Sequence, residues 1–168
     1  MKITPEYLAL NRELHARPDY GISGSKWAAP LLKIAEALGT RDILDYGCGK
    51  RTLEQALGFP IRNYDPCIAG LDAPPEPADL VACTDVLEHI EPACLDDVLD
   101  DLKRVTRKIG FFVIANRPAK KVLADGRNAH LIQEDVDWWR ARLERRFAMH
   151  QIGVKSEEYV FVVRRIAA

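Results

Sequence analysis

An α/β domain with a mostly parallel sheet, finished by an antiparallel hairpin, is what this sequence of 168 residues predicts. Three observations carry that expectation. Short apolar strands alternate with helical stripes from about Asp42 to Asn116, and parallel strands joined by helices need both sheet faces covered. In "ILDYGCGKRTL", Ile43 to Leu53, a buried strand breaks at two glycines one residue apart and resumes with residues that can begin a helix. Near the end, "RFAMHQI" and "EYVFVVRRI" read as two strands joined by a polar turn at Gly153 to Glu157.

The elements follow in order. Ser25 is placed to cap a helix whose apolar residues Trp27, Leu31, Ile34, Ala35 and Leu38 recur at helical spacing, with Gly39 as its stop. "DILDYG" is the first strand, and a short helix over Thr52 to Leu57 ends at Gly58. "IRNYD" is the second strand. Only "PCIAGLDAPPEP" separates it from the third, Ala78 to Thr84, so an irregular loop or abbreviated crossover is expected there. Pro92 suits the first turn of a helix with the stripe Leu95, Val98, Leu99, Leu102 and Val105, which Gly110 closes ahead of the strand "FFVIAN". A polar loop, "RPAKKVLADGRNAH", precedes a helix near Glu134 to Arg145.

Composition sets bounds. With 48% hydrophobic residues the chain can build one core, so residues 1–168 are expected to form one domain. The net charge of -1 hides an asymmetry: residues 1–102 hold 9 Lys/Arg against 18 Asp/Glu, and residues 103–168 hold 15 against 7. The basic half suits an anionic partner or, more commonly, is scattered over solvated helix faces. Cys48, Cys67, Cys83 and Cys94 form no C-x-x-C pair, and none stands near a histidine at zinc-ligand spacing, so reduced thiols and no metal are expected. No segment has the roughly 20 apolar residues of a membrane span, and the expected location is cytoplasmic.

Ligands of an open parallel sheet lie outside the carboxyl ends of its strands. Here those ends carry Asp45-Tyr-Gly-Cys-Gly, Asp65-Pro66, Thr84-Asp85 and Asn116-Arg117, with Asp72 in the short crossover. Gly47 and Gly49 would let the backbone approach a ligand closely. Asp65 is positioned to accept both hydroxyls of a ribose. A P-loop needs Ser or Thr after its lysine, where Arg51 stands, and a dinucleotide fingerprint needs glycine where Thr52 stands. A nucleoside site without a phosphate cradle remains.

The ordered set "ILDYGCGKRTL", "YDP", "LDAPPEPADLVACTDVLEHIEP" and "LDDLKRVTRKIGFFVIANRP" resembles the successive motifs of class I, Rossmann-like S-adenosylmethionine-dependent methyltransferases. The resemblance covers Asp42 to Pro118 by motif and the rest by architecture. It implies a three-layer α/β/α sheet, abbreviated between the second and third strands, and S-adenosylmethionine as cofactor with S-adenosylhomocysteine as product. Asp45, Gly47, Cys48 and Gly49 would line the amino acid end of the cofactor. Asp65, with Pro66 beside it, would bind the ribose and Asp72 the adenine amino group, while Thr84 and Asp85 would form the floor near the methyl group. The sequence departs from the family at Arg51, where a third glycine is usual, and in the missing helix and strand after Asp65.

Transfer to an oxygen or nitrogen can require a base to take a proton. His130 is the first candidate, with His89 and Asp85 behind it. Tyr20, Arg117, Asn128 and His130 are expected on the acceptor side, because residues 1–40 can fold over the cofactor as a lid and residues 117–133 border the mouth. The acceptor is expected to be a small molecule or nucleotide, and nucleic acid has no stacking platform to support it. The competing reading is a cofactor-binding or interaction module that keeps the fold and performs no transfer.

Overall fold

The computed structural model describes residues 1–166. Its elements are α1 (Pro5–His15), α2 (Ala28–Leu38), β1 (Ile43–Tyr46), α3 (Thr52–Leu57), β2 (Arg62–Tyr64), β3 (Ala78–Thr84), α4 (Leu95–Val105), β4 (Thr106–Ala115), α5 (Val136–Leu143), β5 (Phe147–Val154) and β6 (Glu158–Arg165). The six strands stand in the order β2-β1-β3-β4-β6-β5. The first four are parallel; β6 runs antiparallel to β4 and β5 antiparallel to β6.

Alternation along the strands creates three layers. Leu44, Val81, Cys83, Phe112 and Ile114 meet α4 and α5 on one face, where Leu99, Leu102, Trp139 and Leu143 are fully buried. Their neighbours Ile43, Leu80, Ala82, Phe111 and Val113 point the other way, onto Leu31 and Ala35 of α2 and Leu53 of α3. Along each strand, successive residues thus enter opposite cores.

Several boundaries differ from expectation. Ser25 does not cap α2: Ser23–Trp27 form a 3-10 turn pressed on α3, where a Cβ on Gly24 would meet Leu53 at 3.1 Å, and no side-chain cap precedes Ala28. Gly110 closes no helix. The helix ends at Val105, and Gly110 lies inside β4, where the Phe112 ring, 2.5 Å from any added Cβ, leaves room only for glycine. The fifth helix is shorter than expected and begins where Asp135 accepts from the Trp138 amide. α1, capped by Thr4, was not anticipated. Its Tyr7 and Leu14 pack on Leu123 and Ala129 of the loop after β4.

The charge asymmetry has an internal explanation. Basic residues of the C-terminal half pair with acids of the N-terminal half: Arg146 with Asp96 and Asp100, Lys108 with Asp79, Arg107 with Asp42, and Lys121 with Asp19. No helix among the described residues is long and apolar enough to cross a membrane.

Candidate active site

The strand order reverses between β1 and β3, and a cleft of about 320 Å³ opens above their carboxyl ends. Of the expected cofactor residues, Asp45, Gly47, Cys48, Gly49, Asp65, Pro66, Thr84 and Asp85 line it. Asp72 does not. It is exposed and accepts the Gly70 amide at 3.2 Å, because the 65–77 segment folds on itself as a short irregular loop with Asp65 N–H bonded to Leu71 O.

The glycine turn works differently from expectation. Gly47 and Gly49 have φ of 83° and 49°, the left-handed region that favours glycine. A Cβ on Gly47 would fall 2.4 Å from Val86, and one on Gly49 would fall 2.5 Å from the Gly21 carbonyl. The crowding they relieve therefore comes from the protein itself. The N–H groups of Gly47 and Cys48 donate to Tyr64 O, Gly49 N–H to Asp65 Oδ2 and Lys50 N–H to Gly21 O. With these amides satisfied internally, the turn is no anion cradle.

What it presents instead is negative charge. Asp45 is 2% exposed and burial, reinforced by the charges of Asp65 and Glu54, pushes its pKa up to about 7. Asp65 is 4% exposed and accepts from the amides of Gly49 and Cys67 at 3.1 and 2.9 Å. Lys26 Nζ stands 3.8 Å from Asp85. A cationic ligand would relieve this buried acidity.

The opposite wall is a run of rings. His15 meets Tyr20 edge-on at 4.9 Å, Tyr20 meets His89 at 5.9 Å, and His89 meets His130 at 4.6 Å. All four line the cleft. His89 Nδ1 lies 2.7 Å from Ala129 O and His130 Nδ1 lies 2.6 Å from Arg117 O. A carbonyl accepts only, so each Nδ1 carries the proton and each Nε2 keeps a lone pair. Burial lowers the pKa of both rings, that of His89 to about 3, so both are neutral at physiological pH.

Of the expected acceptor-side residues, Tyr20, Arg117 and His130 line the cleft and Asn128 does not. Asn128 clamps the loop instead: its Oδ1 accepts from the amides of Ala119 and His130, and its Nδ2 donates to Ala119 O. Tyr7, Asn11 and Cys67, outside the expected set, also line the cleft. Thr4-Pro5, a capping residue followed by a helix-starting proline, was the available signal for α1. The fold also brings His15, distant in sequence, beside Asp65 and Cys67.

Comparison with known proteins agrees with this geometry. The methyltransferase domain family matches residues 15–152. The chain belongs to that family. Its open, mostly parallel sheet is that of the class I, Rossmann-like methyltransferase fold. No curated protein matches the chain in sequence. Among solved structures, the 1,6-didemethyltoxoflavin-N1-methyltransferase of Burkholderia thailandensis is similar over 96% of this chain and 90% of its own, with 16% identity and a TM-score of 0.63. The magnesium protoporphyrin IX methyltransferase of Synechocystis covers 84% and 83% at 15% identity and a TM-score of 0.63. The N-methyltransferase NodS of Bradyrhizobium japonicum covers 98% and 100% at 14% identity and a TM-score of 0.61. At these identities the likeness is one of fold.

Proposed function

We propose that this methyltransferase binds S-adenosylmethionine along the β1–β2 side of the cleft and passes its methyl group to a small acceptor lying against the ring wall. The observation that carries the donor half is the pair of buried carboxylates, Asp45 and Asp65, beside a turn whose amides are already used. Those surroundings reject a phosphate and suit a nucleoside bearing an ammonium and a sulfonium. Asp65 holds the ribose hydroxyls and Asp45 faces the amino acid end, while Thr84 and Asp85 floor the methyl group.

The sulfonium already activates the methyl, so the protein has to align donor and acceptor and exclude water. α1 and the segment through Gly21 cross the mouth and supply that cover. The cleft volume is near the lower end of the roughly 300–1,000 Å³ of small-ligand sites, which favours a compact acceptor. The toxoflavin precursor and the porphyrin named for two of the structures above are small-molecule acceptors as well, the porphyrin a larger one. The neutral His130 offers Nε2 to an acceptor proton, with His89 and Asp85 beside it.

Isothermal calorimetry tests the donor half. S-adenosylmethionine and S-adenosylhomocysteine should bind the protein one to one, and Asp65→Ala should weaken both at least about 100-fold, as expected when a buried charged hydrogen-bonding group is lost. No binding by the unaltered protein sinks the proposal.

A further inference from the structure

The ring wall contains a group that methyl transfer as described leaves unused. Glu88 has no exposed surface, yet it stands at the carboxyl end of β3 directly before His89. Its Oε1 accepts the Ala115 amide at 2.9 Å, while Oε2 is buried without a hydrogen-bond partner. Such an atom is costly in either protonation state: an ionised oxygen lacks a donor, and a protonated one lacks an acceptor. Glu88, His89 and His130 each bring one metal-ligating atom within 4.8 Å of the others.

The geometry points to a divalent transition-metal site formed by Glu88, His89 and His130. Two imidazoles and one carboxylate are the donor set of open zinc sites and of related iron and cobalt sites, in which further positions stay free for substrate. Each histidine is already held as a ligand should be, with Nδ1–H fixed on a backbone carbonyl and Nε2 left for the ion. Bonds of about 2.0–2.2 Å in a tetrahedral site place ligand atoms roughly 3.4 Å apart, inside the 4.8 Å within which the three atoms already lie, so the ion would draw the side chains together. Asp85, which also lines the cleft, adds negative charge nearby.

The consequence for chemistry rests on the proposed methyl transfer, whereas cation binding does not. An acceptor hydroxyl on the ion's open position loses its proton to water more readily than a free one. Its oxygen then forms the bond to the methyl carbon as the carbon–sulfur bond breaks and the electron pair returns to sulfur. His130 would then act as a ligand rather than as the proton acceptor. The acceptor class so selected is a hydroxyl or enol oxygen, with a second oxygen able to chelate.

Tag-free protein, stripped of metal and kept free of S-adenosylmethionine, is titrated with Co2+ and its visible d–d absorption followed, then displaced with Zn2+. One equivalent of Co2+ should produce the bands of a low-coordinate site. Glu88→Gln and His130→Ala should each weaken Co2+ binding by more than the roughly 10–100-fold that loss of a residue merely supporting a ligand costs. Circular dichroism of both variants, together with S-adenosylhomocysteine calorimetry, establishes that they remain folded. Absence of Co2+ bands overturns the proposal. So does binding that survives both variants but is lost in Cys67→Ser, which would put the ion on the His15, Asp65 and Cys67 cluster. Because S-adenosylhomocysteine binding is measured separately, a failed metal site and a failed donor site give different results.

Discussion

The two walls of the cleft, donor and acceptor in the proposed function, are built in opposite ways. The donor wall comes from one contiguous turn, Asp45 to Gly49, and from Asp65 one strand over, locked by backbone hydrogen bonds at 2.7 to 3.1 Å. The acceptor wall comes from three distant segments that contribute His15 and Tyr20, His89, and His130, and it is held by ring packing and two histidine-to-carbonyl bonds. Backbone bonds fix atoms to the sheet itself. Side-chain packing fixes them only as well as α1 and the loop after β4 hold each other. The donor geometry should therefore be stiff, and the acceptor geometry should respond to changes in α1.

Gly49→Ala attacks the junction of the two walls and should have the largest effect. The left-handed backbone alone costs an alanine about 1–2 kcal/mol, and its methyl would also strike the Gly21 carbonyl, lifting the segment that covers the mouth. Loss of S-adenosylmethionine binding together with a melting temperature lower by many degrees is expected. Unchanged calorimetry would show that the cover is not part of the donor site.

Asp45→Asn separates charge from shape in the donor wall. The folded-state pKa of Asp45, about 7, lies above the ordinary carboxylate value, so burial stabilises the protonated form. The contribution to stability is complete below the unfolded pKa and is lost as pH rises through about 7. Without ligand, the Asp45→Asn variant should thus be more stable than the parent at alkaline pH, by on the order of a few kcal/mol, and melt higher. For a cationic ligand the sign reverses. Affinity of the parent should rise up to about tenfold per pH unit as Asp45 ionises and level off above about 7, while the variant binds weakly at every pH. Calorimetry across that range reads the affinities and thermal melts read the stability; a flat affinity profile in the parent would remove Asp45 from the ligand.

How far each wall could be read from sequence follows from the same difference. That Asp45, Gly47, Gly49, Asp65 and Thr84 line the cleft was legible because strand ends and glycine turns are local patterns. Even there the reason for the glycines was hidden: Val86 and Gly21 are remote in sequence, and only the fold brings them against the turn. Asp72 was misplaced because a short irregular loop has no periodicity from which to infer direction. The ring wall was legible only in part. His89 and His130 could be named, but their pairing, the buried Glu88 beneath them and the clamp formed by Asn128 depend on tertiary contacts. α1 went unread although Thr4-Pro5 announced it.

His130→Ala should change the acceptor wall alone. Removing the bond to Arg117 O loosens the loop and should lower stability by about 1 kcal/mol, the scale of one hydrogen bond. S-adenosylhomocysteine affinity should stay within about twofold, since the ring's hydrogen bond and its edge-on partner His89 both belong to the acceptor wall. A large fall in affinity would show that the two walls are one unit.

Arg51→Gly should have the smallest effect and tests one of the donor side's two departures from the family pattern. Arg51 sits at φ 59°, the conformation a glycine adopts without strain, so the arginine carries about 1 kcal/mol of backbone strain. Against this stand its half-exposed pair with Glu54, about 0.3–0.5 kcal/mol, and the greater freedom a glycine gains in the unfolded chain, about 0.4–1 kcal/mol. The terms nearly cancel, and the melting temperature should move by no more than a few degrees. Arg51 is exposed and its guanidinium is turned onto Glu54 rather than into the cleft, so S-adenosylmethionine affinity should stay within about tenfold. A collapse of binding would mean that the arginine leaves Glu54 to hold the ligand, and the donor wall would then depend on a side chain as well as on its backbone.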